Sequence, residues 1–296
     1  MRKWIARSVV GLTVLVSGAG AAFMVLAEMG DRKLTRQVDV AVEPVAFRSD
    51  AASVERGGYL FRSRGCGDCH GANGAGSVVV DDGGMYIRSP DITPAANGVV
   101  AAYAPVDWVR TIRHGVKPDG RPVMIMPSEE YNRFVDADLA AIVAYVRQLP
   151  AASGARAEVR LPMPVKALYA AGVVKDASEK IDHSLAPAQP VPEGVTAAHG
   201  AYVANSCIGC HGARLAGGKI PGAPPDWPPA AKLTPGAGSA LDRYATPEAF
   251  MAMLKSGRRP DGSSVSKVMP FVSLKELNDV DARALYLHLR SLPAGS

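Results

Sequence analysis

Cys66-Gly67-Asp68-Cys69-His70 and Cys207-Ile208-Gly209-Cys210-His211 are two copies of one pattern, and they use all four cysteines of the 296-residue chain. Cys-x-x-Cys-His is the spacing of a covalent haem attachment site. Two thiols a turn of helix apart reach the two vinyl groups of one haem, and the adjacent His lies under the ring, where its imidazole meets the iron. A zinc ribbon would need its cysteine pairs much closer than 141 residues. A thioredoxin-type pair would need a βαβ setting, and a structural disulfide leaves the two histidines unexplained.

The rest of the composition agrees with a chain that needs help to form a core. Aromatic residues make up 6% of the sequence, while Gly and Pro number 30 and 23. Small, loop-rich helical domains bury too little apolar surface alone, and a flat cofactor in each would complete the interior. The net charge of +5 comes without a dense basic run interleaved with aromatics, which excludes a nucleic-acid partner.

At the N-terminus, Arg2, Lys3 and Arg7 precede Ser8 to Ala27, twenty residues without charge. That run is long enough to cross a bilayer and longer than the usual core of a cleaved signal. A retained anchor over 1–30 is therefore expected, with cleavage near Gly18 to Ala22 as the alternative. Arg32, Lys33 and Arg36 follow the run too closely for charge to orient it. Residues 28–50 read as a tether, and 151–195, rich in Pro and Ala, as a linker over the surface with a short helix near Val165 to Val173.

Between these segments lie two units, 51–150 and 196–296, built on one plan. Thr93-Pro94 and Thr234-Pro235 each fall 23 residues after the motif histidine. A helix from Val106 to His114, carrying Trp108 and Ile112 and ending at Gly115, matches one capped by Thr246-Pro247 that carries Phe250 and Leu254 and ends at Gly257. Asp119-Gly120 matches Asp261-Gly262. The closing helices are expected at Asp136 to Leu149, with Asp136 as N-cap, and at Asp281 to Leu292, each stopped by Pro. From Met-Pro to Leu-Pro the offset between the units is a constant 143.

A haem iron held by one His needs a ligand on its other face. Met126 and Met269 lie 56 and 58 residues after His70 and His211, each followed by Pro, each between the Asp-Gly turn and the closing helix. A thioether there stabilises Fe(II) and makes an electron-transfer site. Pro removes a backbone donor and holds the loop extended. Met124 competes with Met126; Met163-Pro164 falls outside the repeat, and Met251 and Met253 read as helix packing. Among the remaining histidines, His114 reads as a helix C-terminal cation and His183 as solvated. His199 and His288 are weak ligand candidates, and Trp227 is a candidate for packing at a haem edge.

The phrases Arg56-Gly57-Gly58-Tyr59-Leu60, Asp91-Ile92-Thr93-Pro94, Asp119-Gly120-Arg121, Met126-Pro127 and Ala144-Tyr145-Val146-Arg147-Gln148-Leu149-Pro150 make the chain resemble tandem dihaem class I-type cytochromes c. More particularly, it is similar to cytochrome c subunits of membrane-bound alcohol, aldehyde and gluconate-type dehydrogenases. The resemblance implies an all-α fold of two tandem class I cytochrome c domains after an N-terminal transmembrane helix. It implies two covalently bound haems c, with Cys66, Cys69, His70, Cys207, Cys210 and His211 as binding residues and His70, Met126, His211 and Met269 on iron. It places Gly57 or Gly58 and Gly200 at close helix approaches, facing Tyr145 and Tyr286 or His288.

The function implied is electron transfer without substrate chemistry. A dehydrogenase or quinol-side donor would reduce one haem, and a cytochrome, quinone or oxidase would oxidise the other. The setting implied is the periplasmic face of a bacterial inner membrane, crossed once. Lys255, Arg258, Arg259 and Lys267 around the second Met loop suit an acidic partner. A dihaem peroxidase, a small sulfur-compound oxidase or a haem–copper oxidase subunit are the alternatives. The known dehydrogenase subunits carry three haem motifs, where this chain carries two.

Overall fold

A computed structural model describes residues 2–224 and 226–294, and in it the chain is mainly helical. The side chains of Arg2, Lys3 and Arg7, the charged lead-in to the apolar run, lie outside the described residues, as do the last two positions of the 196–296 unit.

Helix α1 (Arg2–Leu34) contains the whole charge-free run and continues past 30 to Leu34. It is bare over most of its length, with Val10, Leu12, Val14, Leu15 and Val16 all 62–71% exposed. The first half then contributes α2 (Ala51–Ser63), α3 (Cys66–His70), α4 (Pro105–His114), α5 (Ser128–Tyr131) and α6 (Asp136–Val146). Asp50 caps α2 by accepting from the Ser53 amide, which satisfies a donor the first turn leaves free. Leu60, Phe61, Trp108, Ile142, Val143 and Val146 form the core of this half.

After the short helix α7 (Met163–Ala170), the second half repeats the order with α8 (Ala197–Ala204), α9 (Ile208–His211), α10 (Pro247–Ser256), α11 (Phe271–Leu274) and α12 (Asp279–Ser291). Thr246 caps α10 through the Ala249 amide with Pro247 in the first position, as its sequence foretells. The core here is Val203, Leu241, Phe250, Leu254, Leu285 and Leu289.

In each half the first and last helices cross at a glycine. A Cβ on Gly57 would overlap the Ala141 carbonyl and the Tyr145 Cβ, and one on Gly200 would overlap the Ala284 carbonyl and the His288 Cβ. The expected close approaches are thus at Gly57 and Gly200, with His288 rather than Tyr286 opposite the latter.

Four expectations are corrected. Asp136 does not cap α6: Val135 occupies the cap position without a side-chain bond, and the Asp136 carboxylate instead accepts from buried Arg113 at 2.7 Å. Helix α12 starts before Asp281, because Asn278 caps it by accepting from the Asp281 amide. Residues 28–50 are not a free tether: α1 packs on α7 beyond Ala27, Val38 donates to the Gly120 carbonyl, and Phe47 packs on the first core.

The fourth correction concerns 151–195, whose β3 (Glu158–Arg160) joins β1 (Val78–Asp82) and β2 (Met85–Arg88) in a small antiparallel sheet beside the helices. Gly83 and Gly84 make its two-residue hairpin turn, both at positive φ, as that turn requires. It helps build a third apolar cluster of Ile87, Met124, Leu161 and Tyr169. The 151–195 segment therefore supplies core residues to the first half rather than only covering it.

Candidate functional site

Each Cys-x-x-Cys-His motif folds as a short helical turn that ends at a glycine of positive φ, Gly71 in one half and Gly212 in the other. The four cysteines are half-buried and not bonded to one another. Burial pushes the Cys66 and Cys207 thiols up to about 12, so both are protonated at neutral pH.

The two motif histidines are held in the same way. His70 Nδ1 lies 3.2 Å from the Pro90 carbonyl, and His211 Nδ1 lies 2.7 Å from the Ala231 carbonyl, each 20 residues further on. A carbonyl only accepts, so Nδ1 carries the proton and the lone pair is left on Nε2. That is how a metal-ligating imidazole is oriented from its outer side. Burial also lowers both histidine pKa values, which favours the neutral, ligating form.

The methionine loops match as well. Pro127 and Pro270 adopt nearly the same backbone angles, φ −78 and ψ 57 against φ −80 and ψ 70. Met126 packs against the cluster that Cys66 touches, and Met269 against the cluster that Cys207 touches. In the second half a largely apolar cavity is lined by Cys207, His211 and Met269 together, with Arg243 and Arg259 among the polar groups. Met124 is buried in the third cluster with Ile87 and Tyr169, away from the motif.

The halves face each other through equivalent surfaces. Tyr59 donates to Asp281 at 2.6 Å, and Tyr202 donates to Asp138 at 2.7 Å. Helix α5 packs on α9, with the Gly209 amide donating to Glu130 at 3.1 Å, and α11 packs on α3. Each Met-Pro loop thus runs into a helix that rests on the other half's motif. Burial, with Glu129 nearby, raises the Glu130 carboxyl to about 8.

Asp281 is fully buried and accepts from Arg64 at 2.6 Å, Tyr59 at 2.6 Å and His199 at 2.7 Å. Burial alone would raise its pKa; the Arg64 charge and the three donors outweigh that and hold it below the ordinary carboxylate value. These interface residues escaped the sequence reading. The signal was present: Tyr59 and Tyr202, like Asp138 and Asp281, are identical residues at the 143 offset.

The other histidines lie elsewhere. His199 belongs to the Asp281 network. His114 is buried and stacks on His183, their Nδ1 atoms 3.0 Å apart, while His183 Nε2 faces the Ser178 carbonyl. Burial, then the charges of His183 and Arg113, lowers His114 to about 4. It is therefore neutral and not a C-terminal cation, and His183 is packed rather than solvated. Trp227 is 43% exposed and absent from the cavity wall. Of the basic cluster, Arg259 reaches the cavity, whereas Lys255 pairs with Asp279 and Arg258 bonds to its own turn.

Two free thiols, an imidazole with its outer nitrogen engaged, and a thioether over a shared apolar core are a donor set that fits a covalently held haem. Comparison with known proteins gives the class. Residues 52–146 match the family described as cytochrome C oxidase, cbb3-type, subunit III. The fold and motifs resemble those of cytochrome c-type proteins.

Among curated proteins, the chain is similar to the fructose dehydrogenase cytochrome subunit of Gluconobacter japonicus, 26% identical over 85% of this chain and 55% of that protein. It is 29% identical to the cytochrome c subunit of the quinone alcohol dehydrogenase of Gluconobacter oxydans, over 83% of this chain and 56% of that one. The gluconate 2-dehydrogenase cytochrome c subunit of Pantoea cypripedii is 25% identical, over 83% and 61%. The chain spans little more than half the length of these relatives.

Proposed function

We propose that this chain is an electron carrier with two covalently bound haem c groups, one in each half, held on a membrane by α1. Cys66 and Cys69 attach the first haem and Cys207 and Cys210 the second. His70 with Met126, and His211 with Met269, ligate the irons. Bound in this way, haem supplies a one-electron Fe(III)/Fe(II) couple. The chain's own residues attach it, exclude water from it and fix its ligands.

The observation that carries this reading is the repetition of one geometry. In both halves the motif His is turned by a backbone carbonyl 20 residues on, and the Met-Pro loop of that half packs against the same core as its first cysteine. Arg243 and Arg259 suit the acidic edge of the second haem.

The relatives' names support a place beside a membrane dehydrogenase, with electrons leaving to a cytochrome, quinone or oxidase. Helix α1, whose charge-free run Ser8 to Ala27 is exposed over most of its length and long enough to cross a bilayer, supports a single-pass anchor with the haem halves on the periplasmic face of a bacterial inner membrane. A peroxidase or sulfur oxidase would need one haem with an open or unusual face, and the paired methionines argue against that.

The ferric spectrum of the purified protein tests the reading. Two low-spin haems with methionine–iron charge-transfer absorption and no rapid reaction with peroxide are expected. A high-spin haem that reacts with peroxide would replace the carrier with an enzyme.

A further inference from the structure

Helix α5 joins the two motifs through consecutive residues. The Tyr131 hydroxyl donates to the Arg64 carbonyl at 3.0 Å, beside Cys66. The Glu130 carboxylate accepts from the Gly209 amide at 3.1 Å and lies close enough to Cys207 and Cys210 for its charge to act on both sulfurs. A Cβ on Gly209 would overlap that carboxylate. The mirror junction is built the other way round. Ser273 of α11, 143 positions after Glu130, lies beside Asp68, which holds in the first motif the place of Gly209 in the second. Each motif turn therefore has a carboxylate at its middle, supplied by the turn itself in the first half and by the opposite half in the second.

The two carboxylates differ in what balances them. Lys275 acts on Asp68, whereas the position equivalent to Lys275 in the first half is the neutral Asn132. The cation nearest in effect to Glu130 is Lys180 of the 178–180 turn, and it is paired with Glu129 at 3.3 Å. Glu179 of that turn pairs with Lys33. Helix α4 turns Arg110 to Asp107 and Arg113 to Asp136, and Arg64 at the junction is taken by Asp281. The second motif turn presents Cys207, Cys210 and His211, the groups read above as holding haem. Glu130 is only half-buried, so solvent protons reach it. Burial and Glu129 put its change of charge at about pH 8.

A negative charge at the haem-bearing cysteines favours Fe(III) over Fe(II). By linkage, an electron on the iron raises the carboxyl's hold on its proton by the same factor. We propose that Glu130 is a proton acceptor coupled to the second haem, so that the chain binds a proton together with one of its two electrons. Glu130 carboxylate and Fe(III), with one electron and one proton, become Glu130 carboxylic acid and Fe(II). The electron comes from the first haem and the proton from water, and the net charge of the site does not change. This inference rests on reading His211 and Met269 as ligands of a second haem.

The test is a coulometric redox titration of the full-length haem-loaded chain at pH 7, 8 and 9, beside Glu130→Gln, whose amide oxygen still accepts from Gly209. The shift caused by Met269→Ala marks the step of the second haem. At one applied potential, the ratio of Fe(II) to Fe(III) in that step is expected to fall several-fold from pH 7 to pH 9, and to lose most of this fall in Glu130→Gln. Redox-difference infrared spectra at pH 8 should gain a carboxylic-acid C=O band on reduction. If the variant does not load haem, carbon-13 labelling of glutamate carboxyls in the unaltered chain decides: the band shifts if a glutamate takes the proton, and an unshifted band overturns the proposal.

An equal fall in both proteins, or a fall in neither, overturns the coupling, and uptake of two electrons in the same titration leaves the two-haem reading standing. Uptake of one electron per chain overturns both.

Discussion

Tyr59 donates a hydrogen bond to Asp281, 222 positions away, and the residues 143 positions from each pair likewise, Tyr202 of the second half donating to Asp138 of the first. The two halves therefore meet as two copies of a symmetric dimer would, with one patch used twice. The tyrosine–carboxylate pair is the part of that surface that both halves of the sequence share at the 143 offset. The two halves differ around it: Arg56 bonds Asp138 at 3.0 Å, whereas Arg64 and His199 bond Asp281.

That difference predicts unequal costs. Asp281→Ala leaves the Arg64 charge buried without its partner, with an expected loss of about 3–5 kcal/mol. Asp138→Ala costs less, because Arg56 retains some exposure and a second contact to Glu193. Denaturant unfolding of the two variants measures the difference, and equal losses would contradict it. Since the Asp281 pKa is lowered in the fold, its contribution is complete above the ordinary value of 3.8 and is lost as pH falls through the folded value.

His114 gives a second pH dependence at milder acidity. Its folded pKa of about 4 lies below the ordinary 6.5, so between those values the unfolded chain binds more protons. Stability should fall as pH drops from about 6.5 to about 4. Thermal unfolding across that window should show a weaker slope for His114→Phe. An unchanged slope would remove His114 as the source.

The methionines separate by readout. Met126→Ala and Met269→Ala should each abolish one methionine–iron absorption band and lower one haem potential while leaving haem attached. Met124→Ala should instead cost about 2–5 kcal/mol through a core cavity and leave both bands in place. If Met124→Ala removes a band, the first haem has the other ligand.

At the helix crossings, Gly57→Ala and Gly200→Ala should each destabilise their own half by about 1–3 kcal/mol, because the added methyl meets backbone rather than a movable side chain. Denaturation followed at each haem separately should assign each loss to one half. Two neutral substitutions would mean that the helices separate freely.

Much of this is legible in the sequence. The motifs, the Met-Pro loops and the Thr246-Pro247 cap depend on local spacing, and local spacing survives folding. The failures were tertiary. Asp136 has the chemistry of a cap, but a buried arginine from α4 claims it. The Val78–Arg88 hairpin carries its own signal, a valine run, two glycines and a second apolar run. The 151–195 segment reads as a Pro- and Ala-rich linker because its packing relies on single residues such as Tyr169 and not on a repeated stripe.

The claim of two haems in series is tested most directly by coulometric redox titration of the purified full-length chain. Two electrons per chain, taken up in two one-electron steps by methionine-ligated haems, is the predicted result. Uptake of one electron per chain would contradict the account.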